Sequence, residues 1–192
     1  MTVKSGLDLV LALLYAPGHD DKPAEEIRGI TRLEKLVFLA VEEGGFGSRT
    51  PDLRYQAYDF GPYSKEVVDY VAALEGLGLV KAREVEFESF KEVVDRVMAT
   101  GEFPTEEKAG TVEIYELTEK GRQVGRRVFD RLTQDEQRRV AGLKRRYNRM
   151  DLSSLLNHVY RNYPEMTKKS KILDEILGLG ARKGLKVPSG ED

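Results

Sequence analysis

Few residues of this chain could do acid–base or metal chemistry, and their spacing supports neither. His19 stands in a loop beside Asp20 and Asp21, but the chain has no cysteine and its other histidine is far away at position 158, so a metal site lacks ligands. Asp59 could serve as a general base, yet nothing at a recognisable spacing would orient it. We therefore predict a protein that is not an enzyme and has no metal and no cofactor.

Composition and length bound the class of protein. At 192 residues the chain can bury a core without covalent staples, and one domain with an extension is expected. The absence of cysteine fits a reducing compartment, so we expect a cytoplasmic protein. The apolar run 7–16 is too short to span a membrane. Charged residues make up 33% of the chain, with three Asn and four Gln, which is typical of thermophilic proteins.

The first informative segment is GITRLEKLVFLA, from Gly29 to Ala40. Thr31 and Glu34 have the spacing of a capping box, which predicts that a helix begins there. Apolar residues recur at helical spacing and then widen into a broad face, so this helix is expected at the centre of the fold.

The second segment is YQAYDFGPYSKEV, from Tyr55 to Val67. Its Gly-Pro pair predicts a turn, and Ser64 is expected to cap the helix that follows. The aromatic residues of the segment could lie on the core or on a partner, since both use the same chemistry; they are Tyr58, Phe60 and Tyr63.

Together the two segments resemble the YwgA-like and SocA-like (Panacea-domain) group of small prokaryotic proteins. The similarity covers roughly residues 5–80, with a weaker similarity in LLNHVYRNYPEMTKKSKI at 155–172. The matching positions are Thr31, Arg32, Leu33, Lys35, Phe38, Tyr58, Phe60, Gly61, Pro62, Tyr63 and Ser64. The resemblance implies a mostly helical domain without known catalysis that acts as a toxin-neutralising antitoxin or adaptor.

We therefore expect a protein-interaction module whose partner is another protein, such as a toxin, or a second copy of the chain. The residues expected to contact that partner are Arg32, Lys35, Tyr58, Asp59, Phe60 and Tyr63.

The order of predicted elements is that of an α+β, mostly helical protein. Three helices precede two strands, 79–87 and 111–117, which should pair antiparallel as in the wing of a winged helix. The expected organisation is a winged-helix-like core at 1–117 with an acidic insertion at about 88–110 that contains a short helix. A basic helical extension follows at 118–178, and then a flexible tail at 179–192.

The extension contains clear helix starts. Thr118, the capping box Thr133 with Glu136, and Asp151 each predict one. The helix after Thr133 has only a thin apolar seam, so it is expected to need cover, and a homodimer would supply it.

Charge is distributed in two opposed blocks. Segment 84–116 holds ten acidic and three basic residues, whereas 118–149 holds eleven basic and four acidic ones. Either the blocks pair with each other inside the molecule, or the basic helices bind nucleic acid or an acidic protein. The residues proposed for the second interpretation are Arg122, Arg126, Arg127, Arg138, Arg139, Arg145 and Arg146.

A nucleic-acid-binding regulator is thus the alternative function. The helix in the recognition position of a winged helix, 64–76, offers Lys65 against Glu66, Asp69 and Glu75. Phosphate repulsion opposes its approach to DNA, so the distal basic helices would have to do the binding.

Overall fold

The computed structural model describes residues 3–86 and 111–177, apart from the side chains of residues 174 and 175. The described part is an α+β protein with six helices of ten residues or more, a one-turn helix and small antiparallel sheets. The helices are α1 (Gly6–Tyr15), α2 (Ile30–Glu42), α3 (Lys65–Gly76), α4 (Glu119–Phe129), α5 (Gln134–Tyr147), α6 (Leu152–Asn162) and α7 (Leu173–Ile176). The strands are β1 (Ile27–Arg28), β2 (Gln56–Tyr58), β3 (Gly61–Tyr63), β4 (Val80–Glu86) and β5 (Thr111–Leu117). Single 3-10 turns lie at Gly47–Arg49 and Pro164–Thr167.

The larger sheet has the strand order β1-β5-β4, with every pair antiparallel. Val80 pairs with Leu117 and Glu86 with Thr111, so the predicted pairing of these two strands is confirmed. Strand β1 has only two residues, and sequence patterning does not predict an element this short.

Helix α2 lies at the centre, as predicted, because residues 31–40 are all buried. The predicted capping box at its start is wrong. Gly29, with φ of 87°, occupies the N-cap position, and no side chain caps the helix. The Gly29 amide donates to the Glu113 carbonyl of β5, so sheet pairing sets where the helix begins, and Glu34 is drawn into the interior.

The helix starts predicted further along the chain agree with the structure. Thr118 and Asp151 each accept a hydrogen bond from a backbone amide, and Thr133 with Glu136 forms a complete capping box. Ser64 occupies the N-cap position of α3, but its hydroxyl donates to the Glu66 carboxylate instead of accepting from the backbone.

The thin apolar seam of α5 is covered within the chain. Val140, Leu143 and Tyr147 are buried, and α5 contacts α1 and α2. The seam therefore needs no second copy, so the reason given for a homodimer does not hold, and the homodimer itself stays a prediction.

Two regions of the predicted organisation, the insertion at 88–110 with its short helix and the tail at 179–192, lie outside the described residues. Within the described ranges, no helix combines the length and apolar character that crossing a membrane requires.

Candidate interaction site

The hairpin β2–β3 places Tyr58 beside Tyr63 on one face. Gln56 pairs with Tyr63 and Tyr58 pairs with Gly61, so the two tyrosines are diagonal neighbours across the strands. Their ring centroids lie 4.9 Å apart with an interplanar angle of 34°. Tyr58 is 48% exposed and Tyr63 is half-buried, so this ring pair faces solvent. We call Tyr58 and Tyr63 the tyrosine pair.

Lys35 of α2 supports the hairpin from the core side. Its Nζ donates to the Pro62 carbonyl oxygen at 2.8 Å, and the lysine is 1% exposed. Burial lowers the pKa of Lys35 and raises that of Glu34, whose carboxylate lies 3.6 Å from the same nitrogen. The hairpin is thus tied to the central helix through a buried polar contact.

The segment after α6 supports the same hairpin from the other side. Lys171 Nζ lies 2.5 Å from the Asp59 carboxylate, and the Lys171 amide donates to the Asp59 carbonyl at 3.0 Å. Ser170 Oγ also donates to that carbonyl and contacts the Tyr160 hydroxyl at 2.8 Å. Residues 170–171 therefore hold the turn at Asp59 against α6.

Gly61 lets this arrangement close. Its φ is 89°, which side chains rarely adopt, and an added Cβ would lie 2.8 Å from Cε1 of Tyr160. The Tyr160 ring is buried and packs directly under the glycine. Gly61 thus permits both the positive φ of the turn and the close packing of the Tyr160 ring.

Arg32 is the second buried cation of α2. It is 7% exposed, and its guanidinium donates to the carbonyl oxygens of Arg28, Tyr147 and Met150. The Tyr147 carbonyl is the last of α5, at the negative end of the helix dipole, so the cation of Arg32 is favourably placed there.

The structure divides the residues expected to contact a partner into two groups. Arg32 and Lys35 lie in the interior and bind backbone carbonyls, so a partner could touch them only if the core opened. The hairpin residues lie at or near the surface: Tyr58 is exposed, and Asp59, Phe60 and Tyr63 are half-buried. The residue types alone do not show which of these side chains are buried, because burial depends on the face of the helix or hairpin that each side chain occupies.

Three of the seven candidate arginines form ion pairs with acidic residues outside the insertion. Arg145 pairs with Asp21 at 2.7 Å, and Arg149, nearby on the same face, pairs with Asp20 and Glu25. The remaining pairs are i,i+4 contacts, Arg126 with Asp130 and Arg139 with Asp135. Among the described residues, Arg122, Arg127, Arg138 and Arg146 have no carboxylate partner. The predicted pairing of the basic helices with the acidic insertion involves residues 88–110, which lie outside the described residues.

A cluster that the sequence did not predict joins Glu43, Tyr147 and His158. His158 Nε2 lies 2.9 Å from one Glu43 oxygen and 2.9 Å from the Tyr147 hydroxyl, which donates to the other Glu43 oxygen at 3.0 Å. Burial and the bond to Glu43 raise the pKa of Tyr147 to about 12. The side-chain amide nitrogen of Asn162 lies 3.2 Å from His158 Nδ1, so both ring nitrogens of His158 have a polar partner.

The other residues weighed for chemistry lie apart from this cluster. Asp59 is bound by Lys171, and His19 contacts Asp20 in the exposed loop. In the part of the chain that the structure describes, no three His, Asp or Glu side chains are arranged to hold a metal ion.

A cleft opens beside the cluster, along the exposed side of α5. It has a volume of about 260 Å³ and is lined on the α5 side by Arg138, Arg139, Gly142 and Arg146, and opposite by Glu43. The guanidinium carbon of Arg146 lies 5.0 Å from the centroid of the Tyr147 ring.

Comparisons with protein-family models, with curated proteins and with solved structures found no match.

Proposed function

We propose that this chain is a non-catalytic protein-interaction module that binds its partner through the tyrosine pair. The observation that carries the proposal is an exposed pair of aromatic rings on a hairpin whose backbone is held from two sides. Tyrosine supplies a large amphipathic contact area at a low cost in side-chain entropy. Such residues dominate the binding energy of protein interfaces.

The supports matter because they fix the rings before a partner arrives. Lys35 holds Pro62 and Lys171 holds Asp59, one on each side of the turn. A surface that is already in its bound conformation loses less entropy on association than a mobile loop does. The resemblance to antitoxins and adaptors suggests that the partner is a toxin.

The same proposal includes a winged-helix-like core. The order α1, β1, α2, α3, β4, β5 with the sheet order β1-β5-β4 supports it. Helix α3 would then be the recognition helix, yet Lys65 is bound by Asp69 at 2.6 Å and Glu66 lies at the first turn. This charge pattern favours a core that binds protein over one that enters a DNA groove.

Site-specific photo-crosslinking in the native host tests the proposal. A photoreactive phenylalanine analogue at Tyr58 is expected to capture a defined protein, and the same analogue at Leu77 is expected not to. Leu77 is a suitable control because it is the other large apolar side chain described as exposed, at 58%, and lies in the turn after α3.

Stoichiometry completes the test. The chain purified from its host is expected to carry a protein partner at a fixed ratio, and Tyr58→Ala together with Tyr63→Ala is expected to release it. Purification of the unmodified chain alone, or equal capture from Tyr58 and Leu77, contradicts the proposal.

A second candidate function is nucleic-acid binding by α4 and α5. It is favoured by the exposed arginines without a carboxylate partner in the described ranges, Arg122, Arg127, Arg138 and Arg146. A mobility-shift titration at several salt concentrations tests it. A steep loss of affinity with salt supports this function, and no retention at low salt removes it.

A further inference from the structure

Helix α5 has an exposed glycine between two exposed arginines. Arg138, Gly142 and Arg146 are spaced four residues apart, so they fall on one face of the helix. The two arginines are separated by about 12 Å along the axis, at a rise of about 1.5 Å per residue. Both line the cleft opposite Glu43.

No packing requirement within the described chain explains Gly142. An added Cβ there would meet nothing within 4 Å. A glycine in the middle of a helix costs about 1 kcal/mol relative to alanine. This destabilising glycine lies where the helix backbone faces the cleft. Without a side chain at this position, a bound molecule can approach the backbone closely.

The charges around the cleft favour an anionic ligand whose negative groups are few and separated. Arg138 and Arg146 have no carboxylate partner among the described residues, and arginine binds carboxylates through two parallel hydrogen bonds. The Glu43 carboxylate opposite them already accepts from Tyr147 and contacts His158. Asp135, paired with Arg139, lies one turn before Arg138.

We propose that this cleft binds an acidic segment of a partner polypeptide, with one carboxylate at Arg138, another at Arg146 and the segment's backbone passing over Gly142. Carboxylates spaced along a peptide can match two separated arginines and avoid Glu43 and Asp135. A continuous phosphate backbone would bring negative charge against both acidic groups. The cleft shares no lining residue with the tyrosine pair, so the proposal does not depend on that pair.

Fluorescence anisotropy with a labelled polyglutamate peptide and the full purified chain tests the proposal. Arg138→Gln and Arg146→Gln are each expected to weaken binding about tenfold. Gly142→Leu is expected to weaken it as much without a change in charge, whereas Gly142→Ala is expected to raise Tm.

Arg131→Gln is the matched control, since it removes the same charge from an exposed position after α4 that does not line the cleft, and its affinity is expected to change less than about twofold. Equal losses at Arg131 and Arg138 would show that only net charge matters and would overturn the site. Unchanged binding by Gly142→Leu, or no binding of polyglutamate at low salt, would do the same. Tighter binding of duplex DNA than of the peptide at the same salt would assign the cleft to nucleic acid instead.

Discussion

The side-chain nitrogen of Lys35 lies 2.8 Å from the carbonyl oxygen of Pro62, and this hydrogen bond joins the two segments that stand out in the sequence. One end belongs to the central helix and the other to the hairpin that carries the tyrosine pair. Lys35 of the first segment can therefore be buried because the Pro62 carbonyl of the second segment accepts its hydrogen bond.

Lys35→Met is expected to lower the free energy of unfolding by about 3 kcal/mol, because it leaves the Pro62 carbonyl and the Glu34 carboxylate buried without their partner. Urea denaturation measures the change. Lys65→Met, at an exposed lysine beside the same hairpin, is expected to leave the free energy of unfolding nearly unchanged. Equal costs at the two positions would contradict the role assigned to Lys35.

Gly61→Ala is expected to destabilise the fold by about 2 kcal/mol, since the methyl group meets the Tyr160 ring and the backbone has positive φ. Thermal and urea denaturation measure the loss. The control is Gly76→Ala, because an added Cβ at that helical position meets nothing within 4 Å, and it is expected to be neutral or stabilising. A stable Gly61→Ala protein would contradict the packing described for Tyr160.

Lys144 is expected to make stability depend on pH. It is buried, donates to the Leu14 and Ala16 carbonyls, and burial lowers its pKa to about 7. Between about pH 7 and 10.5 the unfolded chain then binds more protons than the folded chain, so the contribution of Lys144 to the free energy of unfolding rises with pH.

That slope is at most about 1.4 kcal/mol per pH unit. Urea denaturation across this range is expected to show it in the unmodified chain, and Lys144→Met is expected to flatten it. Lys168→Met, at an exposed lysine, provides the comparison. Parallel pH profiles for the unmodified and Lys144→Met proteins would refute the expected titration.

Lys171→Gln is expected to change the dynamics of the hairpin more than its stability. The Lys171 side chain is 69% exposed, so solvent screens its pair with Asp59 and the pair adds little to the free energy of unfolding. Amide hydrogen exchange at residues 56–63 is expected to accelerate, while Lys169→Gln leaves it unchanged. Identical exchange in the two variants would show that the contact does not hold the turn.

The sequence predicted the elements well where local chemistry decides them. Thr118, Asp151 and the Thr133–Glu136 capping box start helices as predicted, because a side chain beside its own helix end needs no tertiary partner. The capping box at Thr31 failed because strand pairing of the preceding residues sets the helix start, and the partner strand lies more than eighty positions away.

The candidate site was predicted only in part, because the burial of its residues depends on contacts between segments that are distant in the sequence. The exposure of Tyr58 follows from hairpin register and could be proposed from alternation. The burial of Arg32 and Lys35 could not, since each is stabilised by carbonyls of distant segments. The cluster of Glu43, Tyr147 and His158 joins the C-cap residue of α2 to α5 and α6, so it leaves no local signal in the sequence.

The contact between Lys171 and Asp59 spans 112 residues, and synthesis on the ribosome runs from the first residue to the last. The turn that carries the two rings therefore cannot gain its second support until residue 171 has been synthesised. A fragment that ends before residue 170 would contain the whole hairpin sequence but lack the residues that hold Asp59. Truncation at that point is therefore expected to loosen the turn although no residue of the hairpin itself is removed.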